Sequence, residues 1–356
     1  MPNRLYLILT FLIVSIIGVT LTFTLTDTAV SHSFCREYNG IPDGPESTGG
    51  MVWVKPGSFI MGNDKGHKDL TTGNYQPFPE EKYEHEVSLD GFWIDRTEVT
   101  NAQFSRFVEA TGYVTIAEQK PKKEWFPVGF PEDQMVAGSA VFIPPDRISS
   151  LSDIGEWWEF VEGANWRQPQ GPGSSIVDKM NHPVVHVTHK DALAYAKWAG
   201  RGLPTEAQWE YAAKGGLTNV PYAWGRQFQI DGKHMANTWQ GDFPVNDLKS
   251  DGYAGTAPVG CYPENGYGLY DMVGNVWEIV SDNYQPQHSK QSANNPTGRK
   301  ESFDQPDTGA GMYVIKGGSY LCAANYCMRY RPSARQGQEY TFSTSHIGFR
   351  TVLNEM

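Results

Sequence analysis

The sequence predicts one compact α+β domain with little regular structure, and three observations carry that expectation. Glycine (37) and proline (23) are frequent in a chain of 356 residues, which marks many turns and short elements. Three helices are announced by their caps. Between them lie short stretches of strand type, with no repeat of solenoid period and no linker that would split the body in two.

Each element follows from local chemistry. Met51-Val52-Trp53-Val54 reads as a strand, Pro56-Gly57 as a turn and Ser58 to Met61 as a second strand. The charged segment Asn63 to Lys82 reads as loop. Alternation returns through His85-Glu86-Val87-Ser88-Leu89 and into Phe92-Trp93-Ile94. Thr100 followed by Gln103 forms a capping box, in which each side chain satisfies the other's free backbone N–H. The helix it starts carries Phe104, Phe107 and Val108 on one face and stops at Gly112. Thr188 with Asp191 opens a helix over Ala192 to Ala199, ended by Gly200. Thr205 with Gln208 opens Glu206 to Lys214, closed by Gly215-Gly216.

Composition narrows the function. Aromatic residues make up 13% of the chain, with 11 Trp and 18 Tyr, which suits a packed core and argues against disorder. A net charge of −11 supplies no basic stripe, so general nucleic-acid binding is not expected, although a local basic groove for a peptide is compatible with it. Leu5 to Thr26 carry no charge and would reach about 33 Å as a helix, enough to cross a bilayer. Residues 1–34 are therefore expected to be a signal peptide, with Ser31 and Ser33 offering a cleavage site, or a membrane anchor running through residues 5–26. Arg4 on the inside and Asp27 on the outside would direct the body outward. Residues 35–50 read as a linker and 51–356 as the folded domain. The one Asn-x-Thr triplet, Asn295-Pro296-Thr297, is blocked by its proline, which favours a bacterial periplasm over a eukaryotic secretory lumen.

The chain lacks a GxGxxG turn, a Walker loop, a Gly-x-Ser-x-Gly elbow and a His-Glu-x-x-His motif, and His85-Glu86 is better read as strand. Its four cysteines, Cys35, Cys261, Cys322 and Cys327, are too few for a disulfide scaffold. Cys322 and Cys327 stand in Gly317-Gly318-Ser319-Tyr320-Leu321-Cys322-Ala323-Ala324-Asn325-Tyr326-Cys327-Met328-Arg329-Tyr330-Arg331. Two readings remain open. The pair is a local disulfide of an oxidising compartment, or it is a redox-active or metal-binding pair. Two thiolates without a third cysteine or a histidine make a poor zinc site but suit a soft, low-coordinate ion, above all Cu(I). Arg329, Arg331 and Arg335 would favour thiolate if they face the sulfurs, or they serve as partners of carboxylates.

This run resembles the active-site signature of formylglycine-generating enzymes, the sulfatase-modifying factor family. So do His182-Pro183-Val184-Val185-His186-Val187, the stretches Arg201 to Tyr211 and Asn265 to Glu278, and the closing Gly348-Phe349-Arg350. The resemblance extends from Gly50 to Val352. It implies a C-type-lectin-like fold with low regular secondary structure and a copper-dependent oxidase. That enzyme would convert the cysteine of a sulfatase Cys-x-Pro-x-Arg segment into formylglycine using molecular oxygen. On this resemblance Cys322 and Cys327 would hold Cu(I), Ser319 would line the oxygen pocket and Tyr326 would stand beside the second thiol. Two structural calcium sites are also implied. The first comprises Asn237 and Asp251 with the carbonyls of Thr238 and Tyr253; the second comprises Asp271 and Glu278 with the carbonyls of Gly274 and Val276. All are the oxygen donors a hard cation prefers.

Departures from the family pattern are few. Ile279 stands where a tryptophan is frequent, so one pocket wall is expected to be less aromatic, and Pro332 occupies a position where some members carry a disulfide cysteine. Cys35 and Cys261 form the other conceivable pair. Asn165-Trp166-Arg167 and Trp157-Trp158 are either groove lining or core. The competing function is a non-catalytic binding module of the same fold in the cell envelope, which would need neither cysteine.

Overall fold

The computed structural model describes residues 49–69, 73–126, 129–302 and 311–354. The expected leader, anchor and most of the linker, with Cys35, lie outside the described residues. In chain order the principal elements are β1 (Met51–Val54), β2 (Gly57–Met61), β3 (His85–Leu89), β4 (Phe92–Asp95), α1 (Asn101–Thr111), β5 (Gly138–Phe142) and β6 (Trp158–Glu162). There follow α2 (His189–Trp198), α3 (Glu206–Lys214), β7 (Trp277–Asn283), β8 (Met312–Lys316), β9 (Arg335–Glu339), β10 (Ile347–Phe349) and β11 (Val352–Asn354). Among the described residues no helix is long and apolar enough to cross a membrane.

The helices begin where their caps place them. Thr205 accepts a hydrogen bond from the backbone of Gln208 at 3.1 Å, and Gln208 accepts one from the backbone of Thr205 at 3.0 Å. Gly112 and Gly215 end their helices in the left-handed region, at φ 66° and 55°, which glycine alone enters without a Cβ penalty. The helix opened by Thr188 starts at His189 and runs to Trp198, because Asp191 is the third residue of its first turn and not a residue before it.

Strand order is non-sequential. The largest sheet runs β9-β8-β7-β10, with β7 antiparallel to β8 and parallel to β10. A second sheet, β1-β4-β11, sets the first strand and the C-terminal strand on either side of β4. A third pairs β2 with β3 and adds Ala293–Asn294, while β5 and β6 form a separate hairpin. The expected loop at Asn63 to Lys82 instead contains a small hairpin, His67–Asp69 with Gly73–Tyr75, and a single turn at Pro79–Glu81. Its pairing is between backbones, so the polar sequence carries no alternation to announce it.

Two apolar clusters result. The main core gathers Phe92, Ile94, Phe104, Trp166, Trp209, Trp277, Ile315 and Phe349, all at most 2% exposed. A smaller cluster holds Phe142, Trp157, Trp239, Phe243, Tyr320, Leu321 and Ala323. Cys322 belongs to the main core while its neighbours on either side belong to the smaller one. The thiol-bearing loop is thus the seam between them.

Candidate active site

The loop leaves β8 through Gly317 and Gly318, at φ 90° and 71°. A Cβ on Gly318 would stand 2.9 Å from the backbone of Arg329 and Tyr330, so the bare glycine lets the loop close on its own return strand. Inside that closure Cys322 N donates to Ser319 O at 2.9 Å, and Ala323 and Tyr326 exchange backbone bonds at 2.9 and 3.2 Å. Cys327 and Met328 then take φ 70° and 48°, conformations that side-chain-bearing residues adopt at a cost and that cluster at functional sites.

These turns set Cys322 and Cys327 side by side, joined as a disulfide with Cα atoms 5.0 Å apart. Cys322 is buried and Cys327 half-buried. Cys261 is disulfide-bonded as well, and Cys35, its conceivable partner, is outside the described residues. The two soft sulfurs within one short loop fit a monovalent copper ion once reduced.

An aromatic cluster that includes Tyr326 of the loop packs beside it. Tyr326 stacks on Phe243, centroids 4.5 Å apart and nearly parallel, and Trp157 meets both rings edge-on. Burial raises the Tyr326 hydroxyl above its ordinary pKa, so it stays protonated. The indole N–H groups of Trp157 and Trp239 are buried without hydrogen-bond partners among the described residues. Trp157 therefore belongs to that cluster, Trp158 is partly exposed beside it, and Trp166 belongs to the main core with Arg167 stacked on its ring. Ile279 is not part of any wall: it is fully buried in β7 opposite Ile315 and Phe349.

Ser319 is fully buried; its Oγ accepts from Leu321 N at 3.2 Å and lies 3.2 Å from His346 Nδ1. Sequence reasoning missed His346, although it stands two residues before Gly348-Phe349-Arg350 in a polar run. Its ring packs edge-on against Trp158, centroids 4.9 Å apart, and burial with the nearby His186 lowers its pKa to about 3.

The arginines serve carboxylates. Arg329 pairs with Glu80 (Nε–Oε1 3.0 Å), Arg331 with Glu81, and Arg335 with Glu206 (2.6 Å). Each guanidinium is paired with a carboxylate, the second of the two readings open for them. These pairs tie the return strand of the loop to Phe78–Glu81 and α3.

The residues expected to hold calcium are near one another in part, and among the described residues no group of three or more His, Cys, Asp or Glu side chains is arranged to hold a metal ion. Asp251 accepts from Thr238 N at 3.2 Å and Tyr253 N at 3.1 Å, and Asn237 donates to Asn275 at 3.1 Å, which makes the two sets neighbours. In the second set Glu278 binds Arg350 through both oxygens at 2.6 Å and accepts from the Trp209 indole at 2.7 Å. Asp271 is buried at φ 53°, and burial, with Glu278 nearby, raises its pKa to about 7. Sequence reasoning also missed Glu98, which is fully buried here. Its Oε1 accepts from Asn275 at 3.0 Å while its Oε2 has no partner among the described residues. Burial first, then Asp271 and Glu278, raise Glu98 well above the ordinary carboxyl range. Three acids thus share one guanidinium, and one acid oxygen is left without a partner among the described residues.

A groove of about 620 Å³ opens beside β5 and β6, lined by Trp125, Phe126, Phe130, Phe160, Ser139 and Phe342. From Ser343 on its floor the chain runs directly to His346.

Residues 39–355 match the family described as the sulfatase-modifying factor enzyme 1-like domain. The chain is 46% identical to the formylglycine-generating enzyme of Mycobacterium tuberculosis over 85% of this chain and 97% of that one. It is 41% identical to that of Mus musculus over 92% and 82%. A mouse protein called inactive Cα-formylglycine-generating enzyme 2 is 37% identical over 84% of both chains. Among solved structures PvdO from Pseudomonas aeruginosa shares the fold, with a TM-score of 0.56 at 24% identity over 88% of this chain and 97% of that one.

Proposed function

The chain belongs to the sulfatase-modifying factor family, and we propose from that premise that it is a copper-dependent oxidase acting on the cysteine of a sulfatase Cys-x-Pro-x-Arg segment. It is an enzyme of the formylglycine-generating type, turning that cysteine into formylglycine; the metal, the oxidant and the residue roles are our reading of the site. The reaction balances when the substrate thiol, one molecule of oxygen, two electrons and two protons give the aldehyde, one hydrogen sulfide and one water. The carbon–sulfur bond and one carbon–hydrogen bond of the cysteine break, and a carbon–oxygen double bond forms. An external thiol reductant would supply the electrons.

The observation that carries the reading is the pair of adjacent sulfurs at the seam of the two cores, one buried and one half-buried. Reduced, Cys322 and Cys327 would hold Cu(I), which when bound supplies the activation of molecular oxygen that side chains cannot provide. The protein's own residues prepare the surroundings. Tyr326, Phe243 and Trp157 exclude water from one side of the sulfurs, and the indole N–H groups of Trp157 and Trp239 remain available to an oxygen acceptor. Ser319 places a hydroxyl in the same turn as Cys322. The groove beside β5 and β6, lined as far as Ser343, would give an extended peptide an apolar bed.

Calcium at the two oxygen sets would act structurally, since those sets tie together long loops. An extracytoplasmic location, in a bacterial periplasm or anchored to face it through residues 5–26, is part of the same proposal and is supported by the uncharged run at the N-terminus.

The test is conversion of a Cys-x-Pro-x-Arg peptide, followed by mass spectrometry with copper, oxygen and a thiol reductant present. Cys322→Ser and Cys327→Ser should each abolish aldehyde formation and thiol-dependent uptake of Cu(I), with melting nearly unchanged. Full conversion by either variant would reject the assignment.

A further inference from the structure

We propose that His346 is a positioning residue for Ser319, holding its hydroxyl and exchanging protons between it and solvent during turnover. This rests on the oxidase reading above. The geometry is specific. Ser319 Oγ already accepts from Leu321 N, so the bond that remains for its own proton points at His346 Nδ1, 3.2 Å away. The imidazole is fixed from two other directions. Its backbone carbonyl accepts from Trp277 N at 2.9 Å, and Trp158 meets the ring edge-on.

His346 Nε2 has no hydrogen-bond partner among the described residues, and the ring is partly exposed. One ring nitrogen therefore faces the buried serine while the other is free to meet water. His186, the titratable group that bears on it, is itself fully buried with Nδ1 at 2.7 Å from Ser139 and Nε2 at 2.8 Å from the carbonyl of Pro169. His186 is thus committed elsewhere and cannot take the place of His346 at Ser319.

The chemistry needs such a conduit. Each turnover consumes two protons at a site walled by aromatic rings. A neutral imidazole carries protons without charging the pocket: it gains one at one nitrogen as it releases one from the other. The burial that keeps His346 uncharged fits that use, because a permanent imidazolium beside the wall would be costly.

The experiment compares wild type, His346→Phe, His346→Asn, Ser319→Ala and the double variant Ser319→Ala/His346→Phe on the peptide substrate, with melting measured for each. Phenylalanine keeps the packing on Trp158 and removes both nitrogens. His346→Phe should lower kcat by about 10-fold or more, leave KM within about twofold, and raise the solvent deuterium isotope effect on kcat. His346→Asn, which keeps a hydrogen bond to the serine, should recover part of the loss. The double variant should be no slower than Ser319→Ala alone, since the histidine acts through the serine. A nitrogen-15 spectrum supplies a readout independent of turnover: Ser319→Ala should shift His346 Nδ1 and leave His186 unmoved.

Wild-type kcat in a folded His346→Phe variant, or multiplicative losses in the double variant, would overturn the proposal while leaving the oxidase reading in place. Absence of conversion by wild type would remove both.

Discussion

Around Arg350 the protein buries three carboxylates, Glu98, Asp271 and Glu278, against a single guanidinium. Around the thiol loop it buries rings, two sulfurs, a serine and neutral imidazoles, and the charges it carries are paired one to one, Arg329 with Glu80 and Arg331 with Glu81. The two regions touch: Gly274 N donates to Gly317 O at 3.0 Å and Tyr320 N to Asn275 O at 2.9 Å. Their unsatisfied atoms have opposite character. The first leaves an acceptor, Glu98 Oε2, and the second leaves donors, the indoles of Trp157 and Trp239. A buried acceptor beside excess negative charge calls for a cation. Buried donors in an uncharged pocket call for an oxygen-bearing ligand. On the proposal above, the first region would take a resident cation and the second a ligand present only in turnover.

The sharpest way to break this contrast is Glu278→Gln. It leaves Arg350 buried without its bidentate partner, and loss of one member of a buried pair costs about 3–5 kcal/mol. Urea unfolding should show a loss of that order. A change within about 1 kcal/mol would mean that Arg350 is held by the backbone carbonyls of Asp95, Arg96 and Tyr270, which also accept from it, and not by charge. A smaller effect is expected from calcium itself. At 100 times its dissociation constant, a bound ion should stabilise the fold by about 2.7 kcal/mol. The wild-type melting temperature should therefore rise with calcium and fall with chelator. Glu98→Gln should narrow that difference, and a wild type indifferent to both would remove the calcium sites.

Legibility in the sequence followed the range of the interaction. The capping boxes at Thr100, Thr188 and Thr205 involve residues three apart, so each cap was readable, although the helix after Thr188 starts at His189 and not at Ala192. The thiol loop was readable for the same reason, since its glycines, Ser319 and both cysteines lie within one short run. Glu98 was not, because its partner Asn275 is 177 positions away and a lone acid near a strand end looks solvated. His346 lies 27 positions from Ser319 and gave no pattern of its own. The two readings of the arginines stayed open for the same reason: Glu80 and Glu81, which claim Arg329 and Arg331, come from a turn 249 and 250 positions earlier. Local hydrogen bonding leaves a signature in spacing, whereas pairing across a core does not.

The smallest predicted effect concerns pH, where the two regions should pull in opposite directions. Burial raises Asp271 from 3.8 to about 7, so its contribution to stability is full below pH 3.8 and is lost as pH rises through 7. Burial lowers His186 from 6.5 to about 4, so its contribution is full above pH 6.5 and is lost as pH falls through 4. With chelator present these two slopes oppose one another in a urea titration of stability between about pH 4.5 and 6.5. Calcium would hold Asp271 ionised and cancel its descending slope, so the same titration with calcium should climb with pH. His186→Asn should flatten that climb by up to about 1.4 kcal/mol per pH unit, the contribution of one proton. Asparagine is the replacement of choice because position 186 has φ 59°, which asparagine tolerates better than most residues. Identical slopes with and without calcium would show that Asp271 does not face the cation, and the contrast between the regions would then rest on Glu98 alone.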